Sequence, residues 1–151
     1  MTPDPDPAPT TIWRAAVLVP WAAQVVVAVI LFQTLYFKFT YAPETAYIFD
    51  SRGGRPAATV LGCLELVAAV SLLCGGRWSA LGTVLALGLI AGAIFTHLTS
   101  LGIVVKDPAT GEGDGGLLFG LAVTVAVGSL VVLAFRWKQL PVPPGLLGAG
   151  K

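Results

Sequence analysis

The chain has 151 residues, of which 56% are hydrophobic and 11% are charged, and its mean hydropathy is +0.83. A soluble domain is about one-quarter charged, so this composition argues against a soluble fold and indicates an integral membrane protein. The net charge of +1 provides no basic surface, and we expect no nucleic-acid partner. The length suits one domain of about four membrane spans.

Residues 1–11 are rich in Pro and Asp, and we expect a disordered tail there. This start lacks the basic segment of a cleaved signal peptide, so we expect the first span to stay as a membrane anchor. That span covers about residues 15–38 and contains Pro20. Two alternatives remain open: Pro20 occupies the first turn of the membrane helix, or it kinks a longer helix.

Three more apolar segments complete a predicted transmembrane domain of residues 12–138, and they cover about residues 57–74, 79–98 and 117–135. In the first connection, Pro43-Glu44-Thr45 is typical of the start of a short helix. Gly75-Gly76-Arg77 predicts a tight turn, and a polar, Gly-rich loop precedes the last span. The tail at 139–151 contains three prolines and is expected to be flexible.

The predicted fold is therefore all-α, an integral membrane bundle of four transmembrane helices with both termini on the same side. The terminal side carries five basic residues, and the side of the two long loops carries four. Under the positive-inside rule, this small difference favours cytoplasmic termini. For a bacterial chain, the expected location is the inner (plasma) membrane.

Glu65 is the one charged residue in the apolar segment from Ala57 to Cys74. An ionised carboxylate in hydrocarbon costs roughly 2.5–3.5 kcal/mol on insertion scales, so it needs a partner charge, water or a ligand. Spacings of three and four residues place it on one helix face with three small residues, Ala58, Gly62 and Ala69. We therefore expect Glu65 to point into the bundle.

Other small-residue rows are expected to pack the remaining helices together. They are Gly88, Gly92 and Thr96 in the third span, and Gly116, Gly120, Thr124 and Gly128 in the fourth. The two cysteines, Cys63 and Cys74, are eleven residues apart, about 16 Å along a helix, which is beyond disulfide reach. We expect both thiols to be buried and to form no redox centre.

Helix geometry places the polar candidates in the half of the bundle next to the two long loops. Glu65 lies about 12 Å below that boundary, and Lys38 and His97 lie close to it. Thr34 shares a helix face with Lys38. These four residues form the predicted ligand or proton-relay pocket, and Glu44 and Asp114 are candidate contributors from the loops. In the terminal half, Gln24 is the one comparable internal polar residue.

Each candidate also has a structural explanation. Lys38 can extend to the interface, His97 can hydrogen-bond locally, and Asp114 is well placed to cap the fourth helix. Glu65 can lock two helices through an ion pair, or it can bind a ligand, and both alternatives stay open. One His and two carboxylates fall short of a zinc site, so we predict no metal, and no catalytic residue can be assigned.

Three segments resemble the DoxX-like family of small four-helix bacterial membrane proteins. They combine Phe37-Lys38-Phe39, a glutamate in the second span (Glu65), and His97-Leu98 at the end of the third, with Asp114-Gly115-Gly116 before the fourth. The resemblance covers about residues 25–135. It implies four transmembrane helices and an association with redox biology, because some members are similar to subunits of thiosulfate:quinone oxidoreductases.

Three functions compete. The first is a redox-associated, quinone-linked membrane subunit that binds a small lipophilic ligand; it would be a subunit of an oxidoreductase, with quinone as the possible cofactor, rather than a self-contained catalyst. The second is a non-enzymatic accessory or assembly factor for a membrane complex, with partner subunits or a second copy of the chain. The third is a proton-coupled carrier, which is less favoured because no inverted repeat is detectable.

Overall fold

The computed structural model describes residues 11–106 and 110–140. Four long helices form the bundle: α1 (Thr11–Thr40), α3 (Gly54–Leu73), α4 (Gly76–Thr96) and α5 (Leu117–Arg136). A short helix, α2 (Pro43–Phe49), lies in the first connection, a π-helical turn (His97–Leu101) follows α4, and a 3-10 turn (Trp137–Gln139) follows α5. Within the described residues, the one β feature is an isolated bridge between Lys106 and Gly113. The all-α prediction is confirmed.

All four long helices are long and apolar enough to cross a bilayer, with mean hydropathies between 1.9 and 2.5. The protein is thus a multi-pass membrane protein, and four spans bring both ends of the bundle to the same side. The candidate spans are Ala16–Thr40, Gly54–Leu73, Gly76–Leu101 and Leu117–Gln139. The predicted tails fall largely on residues 1–10 and 141–151, which lie outside the described residues.

The helix boundaries follow local sequence signals. α1 runs through Pro20, so the structure contains the longer of the two alternative first helices. α3 begins at Gly54, three residues before the predicted span, since Pro56 is favourable in the first turn of a helix. The predicted span began later because it excluded the charged residue Arg55. Gly75 and Gly76 have φ values of +72° and +54°, which glycine adopts without strain, and they form the predicted turn.

The four long helices form a closed square in which α1 and α4 each pack against both α3 and α5. The core consists mainly of small and β-branched residues, which allow the helix axes to approach closely. Its buried members are Val27, Ala28, Leu31, Ala68, Ala69, Leu72, Ala86, Val125 and Val132. The outer faces carry exposed apolar side chains such as Val29, Val60 and Leu130, between 56% and 61% exposed, which suit contact with lipid.

Of two glycines at close helix contacts, Gly128 belongs to a predicted row and Gly82 does not. A Cβ on Gly82 would lie 2.7 Å from the backbone nitrogen of Leu72, and one on Gly128 would lie 2.7 Å from Val27 Cγ2. A Cβ on Gly88, Gly92 or Gly120 would meet nothing within 4 Å. The prediction that these last three glycines pack the bundle is wrong, because Gly88 and Gly120 lie on exposed faces and Gly92 faces a cavity.

Candidate functional site

Glu65 and Lys38 form an ion pair inside the loop-side half of the bundle. Lys38 Nζ lies 2.9 Å from Glu65 Oε2, and the two side chains are 13% and 11% exposed. Glu65 lies on the predicted face with Ala58, Gly62 and Ala69, all of which are buried. Gly62 lets α1 and α3 approach closely beside the pair, because a Cβ at this position would lie 3.1 Å from the Phe39 ring, with Lys38 Cβ in ordinary contact at 3.5 Å.

Thr34 adds a second contact to the same carboxylate oxygen. Its Oγ1 is 2.9 Å from Glu65 Oε2 and 2.8 Å from the backbone carbonyl oxygen of Leu31. A hydroxyl has one hydrogen to donate, so the two acceptors share or exchange it. When Glu65 is ionised, Thr34 donates to it.

The π-helical turn fixes His97. The Gly102 amide donates to the His97 carbonyl at 2.8 Å, which brings the Gly102 carbonyl oxygen within 2.9 Å of His97 Nδ1. A carbonyl oxygen only accepts, so Nδ1 carries a hydrogen, and in the neutral ring Nε2 is then an acceptor. The edge of the ring packs against Phe119, with ring centroids 5.6 Å apart, and His97 is 6% exposed. One nitrogen of His97 thus remains for a ligand.

Lys38, Thr34, Glu65 and His97 line one cavity of about 330 Å³. All four long helices contribute to its wall, and most of the remaining lining is aliphatic. Leu31 and Val125 lie at its inner end, toward the middle of the bundle. The four residues predicted to form a pocket therefore share a cavity between the helices, at the lower end of the usual size range of small-molecule sites.

The segment from α2 to the start of α3 borders the cavity. Ile48, Phe49 and Arg52 line it, and Arg52 Nη1 donates to the Ile48 carbonyl at 2.7 Å. Tyr41 precedes α2 and Asp50 follows it, and a hydrogen bond from the Tyr41 hydroxyl to Asp50 Oδ1 at 2.6 Å ties the two ends of the helix together. The hydrogen bond to the Asp50 carboxylate, with a small desolvation contribution, raises the pKa of Tyr41. Sequence reasoning missed Arg52, although it is one of the few cations in the first connection.

The N-cap residue of α5 is Gly116 rather than the predicted Asp114, which lies two residues earlier and caps the first turn with its carboxylate. Its carboxylate accepts hydrogen bonds from the backbone N–H groups of Val105, Gly116 and Leu118, each at 2.8 or 2.9 Å. Partial desolvation is the largest single influence and raises the pKa of Asp114. The three N–H groups and the charge of nearby His97 together outweigh it, so the pKa lies below the ordinary value of 3.8. The loop before α5 is thereby fixed.

Neither loop candidate lines the helix cavity. Glu44 is exposed, and it lines a separate depression together with Asp114 and Lys106, outside the bundle. The structure therefore brings Thr34, Lys38, Glu65 and His97 together and places Glu44 and Asp114 apart from them. Within the described residues, no three His, Cys, Asp or Glu side chains are grouped to hold a metal ion.

Two sequence-based expectations about other residues are wrong. Cys63 and Cys74 are exposed rather than buried, because they lie on the outer side of α3 and at its end. The terminal half of the bundle contains more internal polar groups than Gln24, since Ser79, Thr83 and Ser129 are also fully buried there. Isolated hydroxyl residues in apolar helices gave no sequence signal that distinguished them from ordinary helix positions.

We compared the chain with family models, curated proteins and solved structures, and none of them gave a significant match.

Proposed function

We propose that this protein is a DoxX-like, redox-associated membrane subunit that binds one small lipophilic molecule of the quinone type between its helices. The observation that carries the proposal is the Lys38–Glu65 ion pair in the wall of an apolar cavity of about 330 Å³. Ionisable groups within membrane helices are rare, and they mark ligand and ion pathways and proton relays. In this proposal the protein is the ligand-binding subunit, and a partner enzyme carries out the redox reaction.

The polar atoms of the cavity suit the head of such a ligand. Both contacts to Glu65 use Oε2, so Oε1 remains available within the described residues. His97 Nε2 is the second available acceptor, and Lys38 retains N–H groups beyond the one that faces Glu65. Donors and acceptors in one cavity can hydrogen-bond both a carbonyl and a hydroxyl, which are the head groups of a quinone and of its reduced form.

The apolar wall suits the ring and the start of a tail. Side chains from α1, α4 and α5, including Ile30, Leu89 and Leu121, cover the remaining surface. Burial of apolar ligand surface contributes about 25 cal/mol per Å², so the wall provides affinity and the polar atoms provide orientation.

The test is a titration of purified protein in lipid nanodiscs with a short-chain benzoquinone, followed by calorimetry. We expect saturable binding that Glu65→Gln weakens at least tenfold, because the substitution removes the charge that orders Lys38 and Thr34. Glu112→Gln is the matched control, since Glu112 is exposed on the loop and does not line the cavity. Absence of saturable binding to the wild-type protein would contradict the proposal.

A second candidate function is an accessory or assembly factor. The supporting observation is the Gly88-x-x-x-Gly92 row on α4, in which both glycines are exposed, neither would contact a neighbour through a Cβ, and Gly92 also borders the cavity. Such rows allow close approach of a helix from another subunit or from a second copy of this chain. A partner recovered in stoichiometric amount, lost in Gly88→Leu and retained in Glu65→Gln, would favour this function over ligand binding.

The proposed location is the bacterial inner membrane, with cytoplasmic termini. The support is the excess of basic residues on the terminal side, including Arg77 and Arg136 at the helix ends. A reporter that fluoresces only in the cytoplasm, fused after Lys151, should be fluorescent. A dark reporter on a correctly inserted protein would reverse the orientation. Proton-coupled transport by Glu65 remains a third, less favoured function.

A further inference from the structure

The terminal half of the bundle contains buried polar atoms that the proposed function does not use. Among the described residues, Gln24 Oε1, Ser129 Oγ and Arg136 Nε are buried and lack a hydrogen-bond partner. Gln24 and Ser129 are fully buried. Buried polar groups in proteins are paired in the great majority of cases, and hydrocarbon offers no alternative partner. These orphaned atoms therefore indicate a polar occupant between the helices.

Three helices bring these atoms to one level. Gln24 on α1 donates through Nε2 to the Ser79 hydroxyl on α4. A Cβ on Gly128 would lie 2.7 Å from Val27 Cγ2 and 3.8 Å from the Ala23 carbonyl oxygen, which places the adjacent Ser129 of α5 at the level of Gln24. Gln24, Ser79 and Ser129, with fully buried Thr83 one turn from Ser79, form a layer that we name the terminal polar layer.

Arg136 connects this layer with the end of the bundle. Its guanidinium carbon lies 5.6 Å from the centre of the Trp21 ring. Trp21 is three residues before Gln24, so it lies about one turn nearer the terminal side on the same helix face. The orphaned Nε of Arg136 is thus a donor between the terminal polar layer and the membrane surface.

The available atoms specify the chemistry of the occupant. Gln24 Oε1 only accepts, whereas the Ser129 hydroxyl both donates and accepts. Rotating the Gln24 amide would merely exchange which of its two atoms lacks a partner. An anion is disfavoured by the orphaned amide oxygen, and a cation finds no carboxylate in this layer. Water can donate to Gln24 and also accept from or donate to Ser129, and it needs only two to four partners.

We propose that ordered water occupies the terminal polar layer and bridges Gln24 Oε1 and Ser129 Oγ. The bundle then has two polar compartments in series. Val27, Ala86 and Val125 form the apolar layer between the water and the ligand cavity. Along α1, Gln24 and Thr34 are separated by ten residues, about 15 Å. The water site is independent of whether the cavity binds a quinone.

The direct test is water-edited solid-state NMR of the full-length protein in lipid bilayers, with water as the probe. We expect magnetisation from water to reach the Gln24 side-chain amide at least threefold faster than the Val27 methyl groups, which belong to the apolar layer. Equal transfer rates at Gln24 and Val27 would overturn the proposal.

A stability measurement provides a second, separate test. If Ser129 Oγ bonds to water, Ser129→Ala should not raise the thermal unfolding midpoint and should slow water transfer to Gln24 at least twofold. If the hydroxyl is unpaired, its removal relieves an unsatisfied polar group and raises the midpoint. A raised midpoint, or an unchanged transfer rate, would therefore contradict the water bridge.

Discussion

Thr34 Oγ1 lies 2.9 Å from Glu65 Oε2, and this contact joins α1 and α3 one turn inside the Lys38–Glu65 ion pair. The same hydroxyl lies 2.8 Å from the carbonyl oxygen of Leu31, so it can satisfy its hydrogen-bonding capacity within its own helix. The site therefore rests on a carboxylate with two different neighbours, a cation and a hydroxyl, both supplied by α1.

Replacing Thr34 by Val retains the shape of the side chain and removes the hydroxyl. We expect a loss of about 1.5 kcal/mol or more in the free energy of unfolding, because a hydrogen bond to a charged group is removed in a poorly solvated place. Unfolding by denaturant in mixed micelles measures this difference. Thr34→Ser is the matched control and should retain most of the stability; a loss in Thr34→Ser with none in Thr34→Val would show that the methyl group, not the hydroxyl, matters.

Replacing Lys38 by Met should leave Glu65 without its cation. We expect a destabilisation of roughly 3 kcal/mol, since breaking one side of a poorly solvated pair costs more than the pair itself contributes. Adding Glu65→Gln to Lys38→Met should recover at least half of this loss. A double-mutant cycle measures the coupling, and strictly additive effects would mean that the two charges do not interact in the membrane.

Replacement by Ala should have opposite effects on stability at Gly82 and at Gly88. A Cβ at Gly82 would lie 2.9 Å or less from backbone atoms of Leu72 and Ala68, so Gly82→Ala should separate α4 from α3 and destabilise by about 1–3 kcal/mol. Gly88→Ala meets nothing within 4 Å and should stabilise α4 by up to about 1 kcal/mol. Unfolding curves of both variants test the pairing, and a stable Gly82→Ala protein would refute the close contact.

Asp114 predicts a dependence of stability on pH. Its folded pKa lies below 3.8, so its contribution is fully present above that value and is lost as the pH falls through the folded pKa. Asp114→Ala should destabilise by about 1 kcal/mol near neutral pH through loss of the cap. The difference from the wild-type protein should shrink as the pH falls from about 4 through the folded pKa, because the native carboxylate becomes protonated over that range. A difference that is constant down to low pH would exclude the ionised cap.

The spans could be predicted from the sequence because each segment is strongly apolar over its whole length. The lone charge of Glu65, its small-residue face and the cap at Asp114 were also predictable, since each depends on local spacing. Arg52 was not, because its position in the cavity depends on how α2 packs over the bundle. Glu44 failed as a contributor for the same reason: it belongs to the right connection but lies on its outer side.

The terminal polar layer could not be predicted from the sequence, for a different reason. Ser79 and Ser129 are fifty residues apart and each resembles an ordinary small helix residue. Only the packing of the bundle, in which α5 contacts both α1 and α4, brings them to the level of Gln24. The exposure of Gly88 could not be predicted either, because a row of small residues does not show which side of the helix packs against its neighbours.

The central claim is that a ligand occupies the cavity between the helices, and blocking that cavity tests it most directly. Ala93 lines the cavity, whereas Ala91 on the same helix is exposed on the outer face. We predict that Ala93→Phe abolishes calorimetric binding of a short-chain benzoquinone, and that Ala91→Phe leaves it within twofold of the wild-type value. Equal binding by the wild type and both folded variants would contradict the claim and place the ligand elsewhere.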